Sequence, residues 1–94
     1  MYRIIDNRGS GKTSRLMLLA KEQGAIIACS NPYAMKQKAL AYEIPGIEFI
    51  SYEELLKNNY NGQNIMIDEL EAFVKYQLSG KLVGYTISNE DWLW

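Results

Sequence analysis

Asp6-Asn7-Arg8-Gly9-Ser10-Gly11-Lys12-Thr13-Ser14 is the stretch on which the fold turns. Tyr2 to Ile5 precede it in a short strand pattern. A helical pattern follows it from Thr13 to Gln23. Leu16, Met17, Leu19 and Ala20 form the apolar side, and Ser14, Arg15, Lys21 and Glu22 the polar one. Gly24 stands where a helix commonly ends in a left-handed residue. Two glycines between a strand and a helix free several backbone N–H groups to converge on an anion, and the helix dipole favours negative charge at that end.

Outward from the loop, strand and helix patterns alternate. Ala25 to Cys29 is apolar at every position, as in a strand covered on both faces. Asn31-Pro32 reads as an N-cap followed by proline at the first helical position, opening a helix over residues 32–43. Pro45-Gly46 breaks the chain, and Ile47 to Ile50 reads as a third strand. Ser51 and Glu54 have capping-box spacing and open a short helix ending near Lys57. After the loop at residues 58–62, Ile65-Met66-Ile67 reads as a fourth strand that ends on Asp68-Glu69. Leu70, Phe73, Val74 and Leu78 recur at helical spacing, with Ser79-Gly80 as the stop. Lys81 to Ile87 reads as a fifth strand, and Ser88 to Trp94 as a polar and aromatic tail.

This alternation predicts one α/β domain over residues 1–94. It has three layers: a mostly parallel five-stranded sheet with helices on both faces. At 48% hydrophobic and 22% charged the chain has the composition of a folded globular domain. One cysteine rules out an internal disulfide, and without histidine a zinc site of the Cys/His type and imidazole catalysis are both excluded. No apolar run approaches the roughly 20 residues of a membrane span, and the first residues do not form a signal peptide. The expectation is a cytoplasmic protein with no membrane partner. A net charge of −1 gives no support to nucleic acid as a partner. Positive charge nevertheless gathers at the loop, because Arg3, Arg8 and Arg15 are all of the arginines.

Gly-Lys-Thr at residues 11–13 and the apolar strand delivering Asp68 and Glu69 are the two chemical motifs. In such a loop the lysine reaches the β and γ phosphates, and the hydroxyl ligates magnesium. An aspartate at a strand end supports the metal. A neighbouring glutamate orients or activates the attacking water. Asp68 and Glu69 also suit the start of a helix.

RGSGKTS and IMIDE together resemble the Walker A and Walker B motifs of P-loop NTPases, in the branch with an additional catalytic glutamate, and are similar to those of minimal phage-encoded ATPase-like proteins. The resemblance implies a sheet whose fifth strand inserts between the first and fourth. It implies ATP or another NTP held by Asn7, Arg8, Gly9, Ser10, Gly11, Lys12, Thr13 and Ser14, and Mg2+ held by Thr13 and Asp68. Lys12 and Glu69 would be catalytic, and Asn89 (or Ser88) at the end of the fifth strand would be the sensor. Asp6 departs from the pattern, which wants glycine there, and implies weakened binding. Arg8 is the nearby charge that could neutralise it. No arginine follows position 15, so an arginine finger would come from a neighbour in a homo-oligomer, a protein partner or a second domain, with Arg8 in trans, or Lys75 or Lys81 in its place, as the candidates of this chain. Slow hydrolysis in isolation is expected.

The competing expectation is a non-catalytic nucleotide-sensing or interaction module with a degenerate Walker A loop. A nucleotide kinase would need an acceptor pocket and an arginine-rich lid, and neither is evident. Tyr33, Tyr42, Tyr52, Tyr60, Tyr76 and Tyr85 offer surfaces for base stacking, although most read as packing residues with wet hydroxyls. Cys29 reads as a small buried apolar residue, and Lys36 and Lys38 as a solvated face. Trp92 and Trp94 either cover the core or dock on another chain.

Overall fold

The computed structural model describes residues 1–6 and 9–88. Among these residues four helices and three strands follow one another as α1 (Lys12–Gln23), β1 (Ile26–Cys29), α2 (Pro32–Ala41), β2 (Phe49–Ser51), α3 (Tyr52–Lys57), β3 (Ile65–Ile67) and α4 (Leu70–Gln77). The strands form one parallel sheet in the order β2-β1-β3. Ile27 pairs with Phe49 on one side and with Met66 on the other.

The helix boundaries follow local chemistry. Gly24 ends α1 in the left-handed conformation, φ 61°, where glycine carries no steric penalty. The Asn31 side chain accepts from the Ala34 amide at 3.1 Å and Pro32 supplies a preset φ at the first helical position. At α3 the capping box is complete: Ser51 Oγ accepts from the Glu54 amide, and Glu54 Oε1 from the Ser51 amide, each at 3.0 Å.

Strand side chains alternate between the sheet faces. On one face Ile27, Cys29, Phe49 and Met66 pack with Met17 and Ala20 of α1 and with Met35 and Ala39 of α2. On the other, Ile26, Ala28, Ile50, Ile65 and Ile67 pack with Tyr52 and Leu55 of α3 and with Ala72 and Phe73 of α4. β1 is buried along its whole length, which is why its sequence is apolar at every position.

The expected five-stranded sheet is not what the described residues form: their sheet has three strands. Tyr2 to Ile5 and Lys81 to Ile87 join no ladder. Ile5 is 78% exposed and Val83 87% exposed. A strand in a parallel sheet needs cover on both faces. Four helices of 12, 10, 6 and 8 residues cover the three strands that formed. Gly84 further weakens the second segment, since a glycine inside a strand loses the most backbone entropy and packs nothing. The insertion of a fifth strand between the first and fourth, implied by the family resemblance, falls with it. β3 pairs with β1 alone among the described residues, and its three residues are only half-buried. Among the described residues no helix is long and apolar enough to cross a membrane.

Candidate functional site

Helices flanking a parallel sheet begin at the carboxyl ends of its strands. The order β2-β1-β3 makes the chain leave β1 for one neighbour and then cross to the other side of it. Open α/β sheets bind ligands at the carboxyl ends of the strands where the order reverses, here β1 and β3. Residues singled out in the sequence gather there.

The glycine loop enters from α1. Gly9 and Gly11 have φ of 82° and 85°, a region that side-chain-bearing residues rarely occupy. Gly11 is the N-cap of α1 and has no side chain to cap the first-turn amides. Ser14 Oγ donates back to the Gly11 carbonyl at 2.9 Å, which fixes the turn. Lys12, Thr13 and Ser14 are half-buried in the first turn. Asp6 is bound by Arg15, whose Nη2 lies 2.9 Å from Oδ2. Arg15 is thus a neutralising partner for Asp6 that the sequence reading missed. Asn7 and Arg8 lie outside the described residues, as does Asn89.

The acid pair enters from β3. The Asp68 amide donates to the Ala28 carbonyl at 2.9 Å, extending the β1–β3 ladder by one bond. Tyr52 Oη donates to the Asp68 carbonyl at 2.7 Å, and the Glu69 carbonyl lies 3.4 Å from the same hydroxyl. Glu69 is the N-cap of α4 with φ 59° and ψ 73°. A left-handed glutamate is strained, and such residues persist where surrounding bonds over-determine them, which happens most at functional sites.

The two motifs meet. Lys12 Nζ lies 3.4 Å from Glu69 Oε1. Burial raises the Asp68 carboxyl above its ordinary value and the Glu69 charge adds to that, while Lys38 and Lys12 pull it back. Asp68 therefore sits in the field of Lys12. Lys38, although on an exposed face of α2, also acts on the site. Tyr52 is buried and its phenol is pushed up to about 12, first by burial and then by Asp68, so it stays a neutral donor. No pattern in the sequence marked Tyr52, because its role depends on a loop from another strand.

Other residues fall outside the site. Cys29 is buried with Sγ 3.7 Å from the Ile50 carbonyl, and its thiol is pushed up to about 11 by burial and by Asp68. It is a core residue, as its sequence context implied, and no nucleophile at neutral pH. Lys75 pairs with Glu71 at 3.7 Å within α4. The packing role expected for most tyrosines holds for few of them: Tyr52 and, in part, Tyr60 join the core, whereas Tyr33, Tyr42, Tyr76 and Tyr85 are exposed. The fifth strand that was to carry Ser88 and Asn89 to the site does not form. Trp92 and Trp94 lie outside the described residues.

The donors that would hold magnesium are hard oxygens: the Thr13 hydroxyl and the Asp68 carboxylate. Mg2+ is commonly bound by one or two carboxylates together with phosphate oxygens and water, so this sparse set fits it. Among the described residues no group of three or more histidine, cysteine or acidic side chains forms a metal cage. Comparison with protein-family models, with curated proteins and with solved structures returned no match.

Proposed function

We propose that the glycine loop and the acid pair bind the polyphosphate of ATP or another nucleoside triphosphate with magnesium, and hydrolyse it slowly in company with a protein partner or a second copy. The observation that carries this reading is the contact of Lys12 with Glu69, which brings the glycine loop and the acid pair to one end of the sheet. The scaffold is a three-stranded α/β domain, so the proposal rests on the site and not on a P-loop fold.

Each residue has a physical task in it. First-turn amides of α1 and the freed backbone at Gly9 and Gly11 would receive phosphate oxygens. Lys12 would leave Glu69 for the phosphates, because an ion pair this exposed is worth only about 0–1 kcal/mol. Thr13 and Asp68 would hold the metal, which when bound neutralises charge developing on the phosphates. Glu69, released by Lys12, would accept the proton of the attacking water. The proposed order is therefore binding first and base activation second.

A second reading is a nucleotide-sensing or interaction module without useful hydrolysis. Asp6 in place of a glycine, tied to Arg15, favours it, as does the lack of strand pairing at Lys81 to Ser88. Calorimetry with ATP and a slowly hydrolysed analogue, with and without magnesium, on the wild type and Lys12→Ala tests binding. Phosphate release by Glu69→Gln then separates the readings: turnover lost with binding kept supports an enzyme. Magnesium-independent binding that survives Lys12→Ala would contradict both.

A further inference from the structure

A cleft of about 530 Å3 opens beside the acid pair, on the sheet face covered by α3 and α4. Ser30, just past β1, and Ser51, at the end of β2, place it at the same carboxyl end of the sheet as Asp68. Its apolar wall is Tyr52, Ala72 and Tyr76. The Tyr52 and Tyr76 rings stand 5.9 Å apart at 57°, and the Tyr52 ring is held edge-on by Phe73 at 5.2 Å. Tyr52 is therefore fixed, while Tyr76 is 51% exposed and offers ring surface to solvent. The polar rim includes Lys75 and the Ser30 hydroxyl. The wall is directly bonded to the acid loop, since Tyr52 Oη holds the Asp68 carbonyl at 2.7 Å. A second cavity, about 260 Å3, lies by Pro32, Ile47 and Phe49, and Tyr52 is not part of its lining.

We propose that this cleft is a nucleobase subsite, in which the base of the bound nucleotide stacks on Tyr76 and its polar edge meets Ser30 and Lys75. A flat heteroaromatic fits a cleft that is apolar on one wall and polar at the rim, of a size within the range of ligand pockets. Aromatic stacking accepts any base, so selectivity would come from the rim. The nucleotide would cross the sheet end, its phosphates on the α1 side and its base on the α3–α4 side. This inference rests on the triphosphate reading for its ligand, but adenosine alone tests it.

The experiment uses the full chain, with magnesium tripolyphosphate, magnesium ATP, adenosine and a 12-residue oligodeoxyadenylate as probes. Ring resonances of Tyr52 and Tyr76 are followed by NMR, and affinities by calorimetry. Adenosine at millimolar concentration is expected to shift both rings. ATP is expected to bind about tenfold tighter than tripolyphosphate. Tyr76→Ala should erase that advantage and leave tripolyphosphate affinity unchanged, whereas Tyr76→Phe should retain it. Tripolyphosphate failing to bind while adenosine shifts the rings removes the triphosphate reading and leaves the cleft. The cleft proposal is overturned by adenosine leaving both rings unmoved, whether or not tripolyphosphate binds. It is equally overturned if Tyr76→Ala weakens tripolyphosphate as much as ATP, or if only the oligonucleotide shifts the rings.

Discussion

The ammonium of Lys12, in the first turn of α1, lies 3.4 Å from the carboxylate of Glu69, the residue that opens α4. The glutamate side chain is half exposed, so water screens the pair and its strength is small. A polyphosphate carries more charge and more acceptors than one carboxylate. It competes for Lys12 at little cost.

Glu69→Gln should therefore change folding stability by less than about 1 kcal/mol. Triphosphate binding should stay level or tighten by up to about fivefold, because a competitor for Lys12 is gone, while phosphate release falls to background. Calorimetry and a phosphate-release assay measure the two. A tenfold loss of affinity would show that Glu69 helps hold the ligand and refute the competition.

Asp68 titrates with the opposite sign to a salt-bridged acid. Burial raises its carboxyl above the ordinary value of 3.8, so the folded protein holds that proton more tightly than the unfolded chain does. Its contribution is fully favourable below that value and is lost as pH rises through the folded-state pKa. Asp68→Asn should then be more stable than the wild type at pH 7, with the gap closing below pH 3.8. Thermal unfolding across that range measures the difference. The same variant should lose magnesium-dependent binding, so gain of stability and loss of function appear together. An unchanged gap at low pH would mean that the carboxylate is not the cause.

Gly11→Ala tests the loop backbone without crowding it. Among the described residues a Cβ at Gly11 would meet only Ser14 Oγ, at an ordinary 3.7 Å, but φ is 85°. The left-handed conformation costs an alanine about 1–2 kcal/mol. For a domain of this size that lowers Tm by about 4–8 °C per kcal/mol. Gly80→Ala, in open space and without a positive φ, is the control and should be near neutral. Equal behaviour of the two variants in thermal melts would remove the case for a conformationally specified loop.

Met17 is fully buried between α1 and the sheet, whereas its neighbour Leu18 is 56% exposed. Met17→Ala should cost about 2–5 kcal/mol. That is a large part of the roughly 5–15 kcal/mol that stabilises a typical domain. Leu18→Ala should be nearly silent. Urea titration monitored by far-ultraviolet circular dichroism distinguishes them, and comparable losses would place α1 in the wrong rotation.

Local chemistry made much of this protein legible from its residues. The caps at Asn31 and Ser51 and the glycine at 24 each set a helix end through contacts only a few residues apart, and the apolar runs at β1 and β3 mark segments able to be covered on a sheet. The glycine loop and the Asp68-Glu69 pair are legible for the same reason, as backbone freedom and charge at the ends of recognisable elements. Sequence alone did not determine how many strands the sheet admits. Tyr2 to Ile5 and Lys81 to Ile87 have strand-like composition but stay outside the sheet. Strand formation requires a paired edge and cover on both faces, and both are supplied by distant parts of the chain. Tertiary structure alone also decided that Lys12 reaches Glu69, that Arg15 takes Asp6 and that Tyr52 holds the Asp68 carbonyl. Those contacts depend on which helix ends the strand order brings together, and no local spacing records it.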